Sequence, residues 1–525
     1  MTAPAIKSAS IEDSLTRRYL SRLFASFISI PLITVTQALL ARGAGPAIFG
    51  DFAFLSKLCQ DTLTLLDSGA TSAFFSQYSH SPGRSELVRF YAKFSVATAL
   101  LLAGLVYLAD LTPLAAYLWP ALPFALVALA CLYAILLWGT QLLQSVIDAR
   151  ALTVRGERTR VFHRGAVMLL VAGCFWFLGS FTALQFFILQ CVSIAIFLGM
   201  LWILGLGPQG RAAFTQQPAE CLTVQQIAHS FWNFCHPLIP YNLVSLGIGL
   251  ADRWVLQFSS GSRQQGYFAL SSQVGALTFL FTSSMAGLLT RELSSAVGKS
   301  DRTRMASLYS ETVTSLYVLT AGIGVFAAVE CTALTQLLGG QAFAGAQIAV
   351  ALMMIYPLHQ TFGQLNASVF FAEARTKVYR NIGLTVPLLG LPLGVWLLFP
   401  ARLGGLDLGA TGLAIKLVLT QFIQVNAQLW VISRWLKLSH WQLLRHQFAA
   451  PLLFFGAAFI AHQATAYLAH SNLLLALLFS GIIYLALISC LILKIPQTLG
   501  LSKERIAQLK SYLLLMVYAG SRRNE

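Results

Sequence analysis

Fourteen apolar runs, each close to the roughly 20 residues a helix needs to cross a bilayer, take up most of this chain. They fall near 20–41, 50–76, 87–109, 121–147, 161–178, 182–206, 229–251, 265–290, 308–333, 345–371, 381–399, 408–433, 447–468 and 472–493. Backbone in lipid must satisfy its own hydrogen bonds, so runs of this length predict helices. The expected fold class is an all-α polytopic membrane protein of about fourteen transmembrane helices, numbered here as spans 1 to 14. With 57% hydrophobic and 10% charged residues and a mean hydropathy of +0.70, the chain is not an ordinary soluble domain.

A formal net charge of +16 invites a nucleic-acid reading, and the placement of the cations rejects it. With the N-terminus inside, 29 of the 35 Lys and Arg fall in segments assigned to the cytoplasm, while Arg42, Arg253, Arg263 and Arg402 are assigned outside. Lys57 and Lys416 lie within spans. This asymmetry is the positive-inside rule, and one missed or invented span would scramble it. The expected location is the bacterial cytoplasmic (inner) membrane, multi-pass, with both termini cytoplasmic. The first run follows a basic stretch but exceeds a signal-peptide core, so it reads as an uncleaved helix. The eight cysteines show no CxxC pair and read as buried apolar side chains. No metal site or cofactor is expected.

The chain also repeats itself. Arg158-Thr159-Arg160-Val161-Phe162 returns as Arg375-Thr376-Lys377-Val378-Tyr379, GDFAFLSKL from Gly50 returns as GYFALSSQV from Gly266, and Ile30-Pro31 returns as Ile239-Pro240. Six spans per copy, an even number, insert both copies with one orientation. The expected domains are an N-terminal lobe (1–206), a cytoplasmic linker (207–228), a C-terminal lobe (229–437), two extra helices (438–494) and a cytoplasmic tail (495–525). The stretch His236-Pro237-Leu238-Ile239-Pro240 should be the most distorted, because proline frees carbonyls that only neighbours or water can satisfy.

Polar residues inside the spans mark the expected cavity. Lys57, Gln60, Asp61, Thr64, Asp67, Ser68 and Thr71 recur at spacings of three and four, forming one stripe along span 2. A charge at mid-span costs about 2.5 to 3.5 kcal/mol even on an insertion scale, so these charges need partners or water. Lys57 and Asp61, one turn apart, are placed to pair. Asp61 and Asp67 are the carboxylates available for proton or sodium coupling, and an internal ion pair is the structural alternative. Lys57 has Gln273 as its repeat mate. Span 12 carries Lys416, Thr420, Gln424 and Gln428; span 7 carries Asn233, His236 and Asn242; span 10 carries His359, Gln360, Gln364 and Asn366. Amides suit sugar hydroxyls, since both donate and accept, and they equally glue helices together. Arg18 and Arg22 at the start of span 1 suit a diphosphate, or anchor the helix end. Arg253 stands near the outer end of span 7.

With ARGAGPAIFGDFAF (41–54), LLDSGATSAFF (65–75), ADRWVLQFSSGSRQQGYFALSSQV (251–274) and LLGGQAFAGA (337–346), the chain resembles the multidrug/oligosaccharidyl-lipid/polysaccharide exporter superfamily, and within it the polysaccharide or O-antigen unit flippases. That resemblance implies two six-helix lobes in a V around a central cavity, alternating access, and a lipid-linked sugar as cargo. The expected function is then a flippase carrying a polyprenyl-diphosphate-linked oligosaccharide to the outer leaflet for cell-surface polysaccharide biosynthesis. Its partners would be that glycan, membrane lipids and polysaccharide polymerase machinery, with no nucleic acid. The substrate residues would be Arg18, Arg22, Lys57, Gln60, Arg253, Gln273, His359, Gln364, Lys416 and Gln424. A multidrug and toxin extrusion antiporter is the alternative. It needs cavity carboxylates, and spans 1 and 7 contain none in their apolar parts. A membrane glycan polymerase or ligase needs a large external loop, and every external connection is short; the reading is therefore not an enzyme.

Overall fold

The computed structural model describes residues 15–80, 84–150, 152–208, 211, 223–236, 239–276 and 279–494, and these contain helices and no strand. Most of the linker 207–228, the tail 495–525, and Pro237 and Leu238 lie outside the described residues.

Helix α1 (Leu15–Asp67) runs for 53 residues and contains span 1 and most of span 2. A straight helix of that length would measure about 80 Å, far beyond a hydrocarbon core of about 30 Å. Gly45 resolves the conflict with φ 70° and ψ 169°, a break in the helical path that a residue without Cβ adopts freely. The short α2 (Ala70–His80) follows. Then come α3 (Ser85–Asp110), α4 (Phe124–Ala149), α5 (Thr153–Leu178) and α6 (Ala183–Met200), with the last continued by a π-helical turn Leu201–Gly205.

Span 7 is split into α7 (Val224–Cys235) and the beginning of α8 (Ile239–Ala276), two helices inclined by 59° around the His-Pro segment. Inside α8, Gly261 has φ 75° and ψ −176°. This break is the counterpart of Gly45, 216 residues later, which is the offset that aligns Gly50 with Gly266. The repeat seen in the letters is thus a repeat of backbone conformation. Beyond α8 lie α9 (Phe279–Gly298), α10 (Arg302–Val329), α11 (Cys331–Gly339), α12 (Gln347–Ala372), α13 (Thr376–Leu398), α14 (Gly409–Leu436), α15 (His440–Ser471) and α16 (Leu473–Lys494).

Among the described residues, 11 helices are long and apolar enough to cross a membrane, or 12 with the bent α7–α8 pair. The number falls below fourteen because spans 1 and 2 form one element, and α8 carries span 7 into span 8.

The chain divides into two compact units, Met1–Gly266 and Tyr267–Glu525. The division therefore falls at Gly266, beyond the 207–228 linker. In the first unit, Phe74 stacks on Tyr91 with centroids 4.6 Å apart and on Tyr78 at 5.4 Å. Onto this stack α7 docks through Ile227, Phe231 and Cys235, with Phe231 edge-on to Phe90 at 5.2 Å. That contact explains why span 7 is counted with the residues before the linker. In the second unit the core is built on Tyr309, Tyr317, Phe362 and Phe370. At the start of α10, Asp301 accepts from the Arg304 N–H at 2.9 Å. This bond to the helix N-terminus holds its carboxyl below the usual range.

The two helices outside the repeat are tied to α10 by a buried carboxylate. Glu330 accepts from Ser480 Oγ of α16 at 2.5 Å, and its other oxygen lies 3.2 Å from His462 Nδ1 of α15. Around it pack Ala458, Ala461, Tyr484 and Phe326. Replacing Glu330 by alanine strips both partners and opens space beside them. The expected cost is about 2 kcal/mol, seen as a lower melting temperature of the solubilised protein, with Glu330→Gln recovering part of it by keeping the Ser480 bond.

Candidate functional site

Two of the charged residues that the sequence places inside spans, Lys57 and Asp61, pair in the first unit. Lys57 Nζ meets Asp61 Oδ1 at 2.5 Å, one turn apart on α1, so the pairing that the spacing predicts is formed. The two ends are unequally covered. The Lys57 side chain is 45% exposed and that of Asp61 only 6%. The cation is therefore presented at a surface of the helix while its counter-ion is shielded behind it. Gln60 is half-buried beside them.

A second cation feels the same carboxylate. Arg253 of α8 is half-buried, and the acids that act on it electrostatically are Asp61 and Asp252. Its guanidinium donates to Gln265 Oε1 at 3.2 Å, and the Gln265 amide donates back to the Arg253 carbonyl. Gln265 is fully buried, so this clasp fixes the arginine's direction. Helical periodicity could not have found Gln265, because it stands twelve residues away across the break at Gly261. The only signal was the match of that break with Gly45.

The break also brings two backbones together. A Cβ on Gly50 would lie 1.9 Å from the Ser262 carbonyl oxygen, and one on Gly266 would lie 1.9 Å from the Pro46 carbonyl oxygen. Pro46 and Gly50 correspond to Ser262 and Gly266 at the repeat offset of 216, so the crossing is reciprocal. It positions Lys57 and Asp61, about two and three turns along from Gly50, with respect to Arg253, about two turns before Gly261.

Asp67 has another role in the geometry. Both its carboxylate oxygens accept from the Thr71 N–H, at 3.2 and 3.1 Å, and one accepts from Tyr91 Oη at 3.2 Å. It caps the junction from α1 to α2, a place where a carboxylate complements free amides.

The remaining site residues lie in the second unit, except for Arg18 and Arg22. Those two sit at the start of α1, and their side chains are outside the described residues. Gln273 is exposed, on the last turn of α8. Lys416 is buried, 1% exposed, with its side chain against the space above Gly390 of α13. Gln424 is half-buried. Much of the polar content of α12 and α14 is spent between these helices. The Gln421 amide donates to Gln360, and Asn366 donates to the Val425 carbonyl and to Gln428 Oε1, each at 3.3 Å, while accepting from Tyr309 Oη. Two atoms stand out among the expected substrate residues. His359 Nδ1 and Gln364 Oε1 are buried with no hydrogen-bond partner among the described residues, which leaves them available to a ligand or water.

Neither described cavity contains a predicted site residue. One of about 610 Å³ is apolar and faces α3, α4 and α6 around Val96, Leu136, Trp138 and Trp202. The other, about 660 Å³, is polar and lies between α10 and α15. The candidate site is marked by its charges and hydrogen bonds.

No family model matches the sequence, and no curated protein matches it. Solved structures do. The lipid II flippase MurJ in an inward closed conformation superposes with a TM-score of 0.64 at 14% identity, covering 91% of this chain and 99% of that one. An inward-facing multidrug resistance MATE family transporter of the MOP superfamily gives a TM-score of 0.52 at 14% identity, covering 80% of this chain and 99% of that one. At such identity the likeness is one of fold. The chain is a multi-pass helical protein that shares the fold of these two structures, the fold its resemblance implied.

Proposed function

We propose that this protein is a flippase, and not an enzyme, which carries a polyprenyl-diphosphate-linked oligosaccharide from the cytoplasmic to the outer leaflet of the inner membrane by alternating access. The observation that carries this reading is the unequal cover of the Lys57–Asp61 pair: the accessible charge is the ammonium, and the carboxylate is shielded. A shielded carboxylate suits an organic cation poorly, whereas an exposed ammonium backed by Arg253 suits a diphosphate. The fold likeness to a lipid II flippase supports a lipid-linked cargo. Buried amide and imidazole atoms without partners among the described residues, His359 Nδ1 and Gln364 Oε1, suit sugar hydroxyls; Gln273, Gln424 and Lys416 extend that polar set in the second unit, and Gln60 adds an amide beside Lys57 in the first.

Energy for the outward step has two sources under this reading. An uncompensated negative charge leaving an inside-negative cell gains about 2.3 kcal/mol per charge per 100 mV. A proton or sodium ion exchanged at Asp61 supplies the drive if protein cations move with the diphosphate. Asp67 is the weaker choice for this exchange because its oxygens already cap α2.

The test is reconstitution in vesicles with a short-chain polyprenyl-diphosphate saccharide, read as the fraction protected from an external modifying enzyme. Lys57→Met is expected to lower the initial rate at least about tenfold, a loss of one charge-assisted contact worth about 1.4 kcal/mol. If the vesicles instead expel an organic cation on a proton gradient, with Lys57→Met unaffected and Asp61→Asn inactive, the antiporter reading replaces this one. That alternative rests on the fold likeness to the MATE transporter.

A further inference from the structure

The polar cavity between α10 and α15 takes no part in the proposed route, and its two walls differ in chemistry. On α10, Ser310 Oγ donates to the Ser307 carbonyl at 3.2 Å, and Thr314 Oγ1 donates to the Ser310 carbonyl at 2.8 Å. Both hydroxyl protons are directed to backbone, and the exposed carboxylate of Glu311 lies on the same wall, so that wall is rich in oxygen acceptors. It calls for a ligand rich in N–H donors. On α15 the exposed Arg445 offers only donors, beside Ser439, whose hydroxyl accepts the Gln442 N–H at 3.3 Å. This wall calls for an anion. Tyr317 Oη donates to the Gln447 carbonyl at 2.8 Å, and Gln447 and Asn426 exchange amide bonds at 3.2 and 3.1 Å, so the helices beneath the cavity are braced.

Depth selects the kind of ligand. Trp441, 69% exposed, begins an outward apolar stripe on α15 that continues through Phe448, Leu452, Phe455 and Phe459. Exposed tryptophan at the head of a lipid-facing stripe marks the membrane interface. Arg445 follows Trp441 by one turn, about 6 Å along the axis. On α10 the exposed surface changes from Arg302, Thr303 and Arg304 to Leu319 and Ile323, with Glu311 between. The cavity therefore lies at headgroup level, and its volume of about 660 Å³ admits a headgroup with its glycerol.

We infer that this cleft is a binding site for the headgroup of a zwitterionic aminophospholipid, phosphoethanolamine in chemistry. Arg445 takes the phosphate, and Glu311 with the Ser310 and Thr314 oxygens takes the primary ammonium. A choline headgroup has no N–H to give the α10 wall, and a glycerol headgroup has no cation to meet Glu311. The inference does not depend on which cargo the protein carries.

The experiment is native mass spectrometry of the full chain equilibrated with equal amounts of phosphatidylethanolamine, phosphatidylcholine and phosphatidylglycerol, then partly delipidated. The expected result is about tenfold preferential retention of the ethanolamine lipid, equivalent to about 1.4 kcal/mol. Glu311→Gln should bring ethanolamine down to the choline level without changing choline, and Arg445→Gln should lower all three. Both residues are exposed, so the variants should elute from size exclusion as the wild type does, and a variant that does not is replaced by Glu311→Ser or Arg445→Ser. Equal retention of the three lipids, or retention indifferent to both substitutions, overturns the inference. If soluble glycerophosphoethanolamine binds as tightly as the lipid, the ligand is water-borne and the lipid assignment fails.

Discussion

Gly266→Ala is expected to destabilise the protein by about 3 kcal/mol or more, near the upper end of what overpacking does. The added methyl would sit 1.9 Å from the Pro46 carbonyl oxygen and 2.7 Å from its carbon. These are backbone atoms on a packed helix, so no rotamer change relieves the clash and the two segments must separate. Gly50→Ala meets the Ser262 carbonyl in the same way. Both variants should show a lower melting temperature and a smaller monodisperse fraction when solubilised protein is heated and followed by size exclusion. Gly104 in α3 is the control, since nothing lies within 4 Å of its Cβ position. Gly104→Ala should be neutral, or stabilising by about 0.5–1 kcal/mol through its helix propensity. Melting of Gly266→Ala within a degree of the wild type would mean that the two backbones do not cross there.

This crossing shows where sequence reasoning stops. The spans themselves were legible because uninterrupted apolar runs end at charges, glycines or prolines: the run at 408–433 is the helix Gly409–Leu436, and the run at 472–493 is Leu473–Lys494. The Lys57–Asp61 pair was legible for the same reason, as helical spacing alone brings residues four apart together. Contacts made across helices depend on the rotation of each helix about its axis, which no local pattern encodes. Glu330 meets His462 across 132 residues and Ser480 across 150, and nothing near Glu330 announces either. The docking of Phe231 on Phe90 likewise places α7 with residues before the linker, although the repeat assigns span 7 to the second copy. Repeat alignment did carry long-range information at one place: it paired Gly50 with Gly266, and those two glycines occupy equivalent positions in the reciprocal contact.

Asp61→Leu is expected to lower the initial flipping rate about 100-fold, or about 2.7 kcal/mol in activation free energy, and more than Lys57→Met does. Asp61 pairs with Lys57 on its own helix and acts electrostatically on Arg253 of α8. Its removal strips Lys57 of its ion-pair partner and leaves Asp252 as the acid acting on Arg253. Loss of one partner from a buried pair costs about 3–5 kcal/mol in stability, but the Lys57 side chain is 45% exposed. Solvent screening then reduces the expected cost to about 1–2 kcal/mol. Lys57→Met removes the exposed cation and leaves Asp61 with Arg253, so it should cost less stability. The double variant separates structure from transport. If the pair serves only the stability of α1, Lys57→Met with Asp61→Leu should recover both melting temperature and rate. If Lys57 meets the diphosphate, melting temperature should recover while the rate stays low. Asp61→Asn adds the coupling question, because it keeps the shape and removes the titration. Flipping by Asp61→Asn that no longer responds to an imposed pH or sodium gradient, while the wild type responds, would place ion exchange at this carboxylate. Flipping by Asp61→Leu at the wild-type rate would remove the constellation from the transport route altogether.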